Sequence, residues 1–300
     1  MMKRAVSVFA CFTSLLLCRA EALAFRIVEA LPEAPVEQGM LMPTDAEFGD
    51  DGTLYVLDGY QGRVVVRFPD GKTSVRVPED ACKIQRALGI TVQGSRTYVA
   101  DPDRERVCEL DQDGRCLRTI RMPPSRGQGP SRPSDVAIEG DRAVVADRGT
   151  NLLHLFHYPS FEPILAVGNW GPEGGNLNSP YLVAMRSGKI LVADMMNGRL
   201  VCLNGQGKYQ GSLGERGVRE GQFVRPKGSA IASDGRVFVS DSTLGVVQVF
   251  DAEFRYQGTV GSKGRPHEFE HPVGLALRQD LLAVVEQKSG RVSLMRLHLP

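Results

Sequence analysis

An all-β ring of six four-stranded antiparallel sheets, a β-propeller, is the fold class this chain predicts, and three observations predict it. Six short β-prone runs each end in a carboxylate, at Asp58, Asp101, Asp147, Asp194, Asp241 and Glu286. These acids recur at intervals of 43, 46, 47, 47 and 45 residues. Glycine turns and a third, alternating run follow at matching offsets, so each period holds several short strands, as a propeller blade does.

The first 24 residues stand apart. Lys3 and Arg4, the apolar run from Ala5 to Cys18 and the small-x-small site Ala22-Leu23-Ala24 read as a signal peptide removed before Phe25. The apolar run is shorter than the ~20 residues a bilayer crossing needs. Acylation at Cys18 is not expected, because Leu17 is bulkier than the residue a lipobox places there. Residues 25–300 then form one domain with 33 basic and 34 acidic side chains. That balance argues against a dedicated nucleic-acid binder, which must neutralise phosphates. The expectation is an exported, periplasmic or extracellular monomer without a transmembrane segment.

Phe25 to Leu31 alternates in polarity and has the length of a strand. The last unit stops after its third strand, Val292 to Leu297, so the amino-terminal segment is expected to supply the missing outer strand and remove an open edge. Within each unit a small, apolar inner strand comes first, as in Pro180–Met185, Pro226–Ile231 and Pro272–Leu277. A tight turn follows, at Asp51-Gly52, Ser187-Gly188 or Asp234-Gly235, where positive φ is needed. The second strand ends in the carboxylate, the third alternates, and another glycine turn leads to the outer strand. The outer strands of the first and third units, Thr73–Val77 and Leu165–Val167, read as short. Leu177, Phe223 and Phe269 each precede the next proline by three and are expected to plug the space between sheets.

Five residues after the carboxylate stands an arginine in four units: Asp58 and Arg63, Asp101 and Arg106, Asp194 and Arg199, Glu286 and Arg291. The spacing places each pair on adjacent strands as a charge-assisted clamp. Leu152 and Val246 occupy that place in the third and fifth units. Because the acids recur in every unit, they read as structural rather than catalytic.

Four cysteines follow the leader: Cys82, Cys108, Cys116 and Cys202. Sequence cannot choose among their three pairings. Cys108 and Cys116 flank the turn at Asp113-Gly114 and are the candidate disulfide within that sheet, with Cys82 as another possible member; Cys202 reads as a buried thiol. No Cys-x-x-Cys motif supports redox or zinc chemistry.

The composite pattern, G-x-F-x-x-P, small apolar strand, D-G, Y-V-A-D, R-V-x-V-F-D, D-G, resembles the NHL repeat from about Leu41 to Leu297. The resemblance implies a propeller of six blades. Propellers similar to it include a zinc-dependent amidating lyase and calcium-dependent gluconolactonases, so zinc or calcium enters only under an enzyme reading. His267 and His271 approach an inner strand, His154, His157 and His298 do not, and Asn151, Asn176, Asn178 and Asn197 fall on the loop side.

The loops between second and third strands share a face with the connectors between units. That face carries Tyr60, Arg104, Trp170, Met195, Met196 and Leu244, residue types enriched at interfaces. Residues 115–134 add Arg126 and Arg132 in a stretch of five arginines without an acid, read as an extended loop. The function expected is a non-enzymatic scaffold that binds a protein or an anionic envelope glycan through this face, with no cofactor. One alternative is a metal-dependent hydrolase or lyase at the tunnel mouth; another is a small-ligand sensor.

Overall fold

The computed structural model describes residues 26–36, 39–124 and 129–298. The leader, Cys18 and Arg126 lie outside them. The described residues open on β1 (Ile27–Pro32), whose partners come from their far end. Then come four separate antiparallel sheets. The first holds β2 (Pro43–Phe48), β3 (Leu54–Asp58), β4 (Arg63–Arg67) and β5 (Thr73–Arg76). The second holds β6 (Ile90–Gln93), β7 (Arg96–Asp101), β8 (Arg106–Leu110) and β9 (Cys116–Arg121). The third is β10 (Pro133–Glu139), β11 (Arg142–Asp147), β12 (Leu152–His157) and β13 (Glu162–Val167). The fourth is β14 (Pro180–Arg186), β15 (Lys189–Asp194), β16 (Arg199–Asn204) and β17 (Tyr209–Leu213). Two short strands, β18 (Glu215–Arg216) and β19 (Gln222–Phe223), pair in the connector that follows.

The remaining eight strands, together with β1, form one nine-stranded sheet. They are β20 (Pro226–Ile231), β21 (Val237–Asp241), β22 (Val246–Phe250), β23 (Tyr256–Ser262), β24 (Arg265–Pro266), β25 (Pro272–Arg278), β26 (Leu281–Glu286) and β27 (Arg291–Leu297). Its order is β20-β21-β22-β23-β1-β27-β26-β25, with β24 paired to β23. Strand β1 runs antiparallel to β27, Ala30 opposite Leu297, and parallel to β23, Ile27 opposite Thr259. The first and last of the described strands are thus joined in one sheet. The architecture is an all-β propeller of four-stranded antiparallel blades.

Local sequence explains the hairpins. Ser187 and Gly188 both take positive φ, 53° and 68°, the backbone a two-residue turn between β14 and β15 requires. The apolar core is divided into packets between successive units rather than pooled. Leu57, Val64 and Val66 pack on Ile90, Val99 and Cys108; Ala276, Ala283 and Val285 of the last unit pack on Ala46, Val56 and Val65 of the first. Leu177, Phe223 and Phe269 each fill such a packet. The first strands touch in a closed circuit, β2 with β6, β6 with β10, β10 with β14, β14 with β20, β20 with β25 and β25 with β2. Among the described residues no helix is long and apolar enough to cross a membrane.

Three expectations are corrected. The disulfide is Cys82–Cys116, with Cα atoms 5.2 Å apart, and Cys108 is a buried free thiol, as is Cys202. The ladder between β8 and β9 sets Cys116 opposite Leu110 and Cys108 opposite Thr119, so the two cysteines do not face one another. Cys82 reaches Cys116 from a short 3₁₀ turn in the preceding connector, Asp80–Cys82. The arginine-rich stretch is no extended loop in its first half: Cys116–Arg121 is strand β9, and Arg118 Nε lies 2.5 Å from Glu109 Oε2. The third outer strand is six residues long, beginning at Glu162.

Candidate functional site at the central axis

Five of the six carboxylates that close a second strand tie that strand directly to the connector leading into its own sheet, whereas Asp101 Oδ1 has no hydrogen-bond partner. Asp58 accepts from the Leu41 and Met42 N–H groups, Asp147 from Arg132, Asp194 from Asn178, Asp241 from Val224 and Arg225, and Glu286 from Glu270. The arginine five residues on completes the tie. Nε–oxygen distances are 3.1 Å for Arg63 and Asp58, 3.1 Å for Arg106 and Asp101, 2.9 Å for Arg199 and Asp194, and 3.0 Å for Arg291 and Glu286. Arg106 and Arg199 also donate to connector carbonyls, at Lys83 and Asn176 among others. In the third unit His154 Nε2 lies 3.4 Å from Asp147 Oδ2. In the fifth, Asp241 is met by four backbone N–H groups, those of Thr243 and Leu244 included.

A second, different set of acids stands at the axis. The pairing of first and second strands slips between Pro43 and Asp45, and again between Pro133 and Asp135. Such bulges re-aim a side chain that regular alternation would place elsewhere. Asp45 Oδ2 accepts from Ile90 N at 2.9 Å, and Asp135 Oδ2 from Val183 N at 2.8 Å, so each acid reaches into a neighbouring unit. Glycine makes room for both: a Cβ at Gly274 would collide with Asp45 Oδ1, and one at Gly89 with Asp135 Oδ1. Asp45 and Asp135 are 5% and 4% exposed, and Asp135 Oδ1 has no hydrogen-bond partner. Ser229 Oγ, buried on β20, is likewise without one.

These groups line a cavity of about 680 Å³ bounded by all six first strands. It begins at Asp45, Asp135 and Ser229 and runs along the strands to the turns at Asp50, Ser187 and Ser233, the side opposite the loops. Burial pushes the Asp45 carboxyl well above the usual carboxylate range, and the Asp135 charge adds to the rise. Burial also lifts Asp135, against the N–H groups of Val183 and Val136. Glu47, farther along β2, is pushed up by burial to about 7, while the Phe48 N–H and the Arg186 charge hold it back. Carboxyls that keep a proton near neutrality can give or take one, which is what acid–base chemistry needs.

The residues first singled out on the loop side are not gathered into one site. Trp170, Tyr60 and Met196 are exposed, at 68%, 56% and 42%. Met195 packs against the cluster of Tyr181, Leu182 and Ala193, and Leu244 is half-buried with its N–H bound to Asp241. Arg104 lies 3.6 Å from Asp101. Arg104 and Arg132 do share a hollow of about 440 Å³, with Arg86 and Asp103, themselves paired at 2.8 Å.

The zinc and calcium sets implied by the resemblance do not fit these residues. Among the described residues no three His, Cys, Asp or Glu side chains stand together as metal ligands would. His154 serves Asp147, and the His267 ring packs tilted against that of Phe269, their centroids 4.4 Å apart. The Asn151 side chain accepts from Ser179 N, and the Asn197 amide donates to Gly171 O and Asp194.

No family model matches the chain, and no curated protein matches it in sequence. Solved structures match its fold. Virginiamycin B lyase from Staphylococcus aureus gives a TM-score of 0.63 at 11% identity, over 88% of this chain and 84% of that one. A gluconolactonase from Xanthomonas campestris gives 0.66 at 14% identity, over 89% and 97%. A streptogramin B lyase gives 0.64 at 8% identity, over 93% and 100%. At these identities the chain shares the propeller fold with them.

Proposed function

We propose that the protein is an enzyme of the hydrolase or lyase class that works on a small polar molecule in the axial cavity, in a six-bladed, NHL-like propeller. The blade count reads the nine-stranded sheet as two blades joined through β1. One observation carries the reading: Asp135 keeps an unpartnered oxygen in a nearly buried position on a cavity that also holds Glu47 and Asp45. A buried polar atom without a partner is costly, and at a cavity wall it marks where a ligand group is expected. The lyases and the gluconolactonase that share the fold support this class of chemistry. Glu47, poised at about 7, takes a proton from water or from substrate carbon; Asp135, kept neutral by burial, gives one to the leaving oxygen. Export through the leader belongs to the same proposal.

Turnover of a panel of lactones and cyclic esters, followed by pH-stat, tests it. The protein should open at least one of them, and Glu47→Gln should lower kcat by about a hundredfold with KM little changed. Absence of turnover across the panel, or full activity in Glu47→Gln, would overturn the enzyme reading. Saturable binding without turnover would favour the sensor. The scaffold reading retains one specific support, the exposed Trp170, Tyr60 and Met196 on the loop side.

A further inference from the structure

Lys227 is the second residue of β20, on the loop side of the level where Asp45 and Asp135 stand, and it does not line the cavity. It is only 9% exposed. Its Nζ lies 4.9 Å from the centre of the Tyr181 ring and 3.2 Å from His271 Nε2. No carboxylate among the described residues forms an ion pair with it. Other buried charges are matched: Asp58, Asp101, Asp194 and Glu286 by arginines, and Asp241 by backbone N–H groups. Burial, Arg225 and Arg148 all act against the Lys227 charge and bring it down to about 8, and no acid acts to support it. The guanidinium groups of Arg148 and Arg225 themselves have no hydrogen bond or ion pair among the described residues. Asp241, whose charge acts on His271, is already committed to four N–H donors.

A desolvated cation repelled by two further cations is unstable unless something supplies negative charge. From this juxtaposition we infer that the loop-side mouth of the axis binds a small oxyanion, a phosphate or carboxylate group, on Lys227, Arg148 and Arg225. The Lys227 ammonium supplies a point charge at the buried end, and the two planar guanidiniums supply paired donors suited to an oxyanion's oxygens. His271 Nε2 holds the ammonium in place, and the Tyr181 ring shields its stem from water. The site is separate from the axial cavity and does not depend on catalysis there.

Isothermal titration of the protein with inorganic phosphate, at ionic strength held constant with sodium chloride, tests it. Saturable binding with a Kd below about 1 mM is expected, and Lys227→Met should weaken it at least about tenfold. The unliganded Lys227→Met protein should melt no lower than the parent, since an uncompensated buried charge has been removed. Acetate titrated in parallel separates the two sources: the tighter ligand names the group. Heats no larger than those of chloride, or phosphate binding undiminished in Lys227→Met, would sink the inference. If Lys227→Met does not fold, the Arg148→Gln/Arg225→Gln double variant carries the same expectation.

Discussion

Two carboxylates, Asp147 buried and Glu47 half-buried, show how single side chains set the behaviour of this molecule with pH. Burial alone would raise Asp147, but the His154 ring, the Arg132 N–H and the Ser131 hydroxyl outweigh it and hold it at about 2. Glu47 has only the Phe48 N–H and the Arg186 charge to set against burial, and it rises from 4.5 to about 7. The consequences run in opposite directions. Asp147 binds its proton less readily folded than unfolded, so it adds stability at neutral pH that is lost as pH falls toward 2. Glu47 keeps its proton when folded after the unfolded chain has released it. Stability therefore falls as pH rises from 4.5 to about 7, and the penalty is complete above that. Glu47→Gln should accordingly stabilise the protein by about 1–2 kcal/mol at pH 8, the shift being discounted for water at the open end of the cavity, and by nothing at pH 4. Urea unfolding at the two pH values measures both. An equal effect at the two pH values would show that Glu47 does not retain its proton.

At the scale of strands and hairpins, the recurring acid works as a knot: it joins the second strand, the third strand and the connector into its own sheet. The fourth unit shows the whole set, with Asp194 taking the Arg199 guanidinium, the Asn178 N–H and the Asn197 amide while 0% exposed. Arg199→Met strands that charge, and a loss of about 3 kcal/mol is expected in urea unfolding. A loss below about 1 kcal/mol would mean the pair is no more than a surface contact. The spacing of five residues is plain in the sequence because both partners sit at the ends of one hairpin. The substitutes are not. His154 serves Asp147 from two residues beyond the usual position, and Asp241 relies on backbone donors that no sequence displays. Cysteine pairing was hidden for a related reason: the register of β8 against β9 and a 3₁₀ turn in the connector decide it. The axial acids are not legible in the sequence because they lie at bulges, where alternation no longer tells which way a side chain points. Their one signal is composition, since a carboxylate is out of place in an otherwise small, apolar first strand.

For the whole molecule, the decisive structural event is closure. A ring of sheets packed only on their neighbours gains its last packet of core when the final unit meets the first, and Ala276, Ala283 and Val285 do so against Ala46, Val56 and Val65. The amino-terminal strand adds to this from outside. It hydrogen-bonds to β27 on one edge and to β23 on the other, and buries Ala30 to 1% among residues of both units. Without it, two strand edges would face water with unpaired N–H and C=O groups, an invitation to pair with another chain. Its role was legible in the sequence because the last unit is one strand short; its parallel contact with β23 was not, since nothing in an alternating heptad specifies a second partner. A chain beginning at Glu33 should therefore lose at least about 3 kcal/mol in urea unfolding, a large share of a typical domain's stability, and elute partly as oligomers in size-exclusion chromatography. If the shortened chain unfolds at the parent's urea midpoint and remains monomeric, β1 is an ornament and the ring is held by its core packets alone. Intermediate destabilisation with a monomeric profile would assign β1 to packing through Ala30 rather than to edge protection.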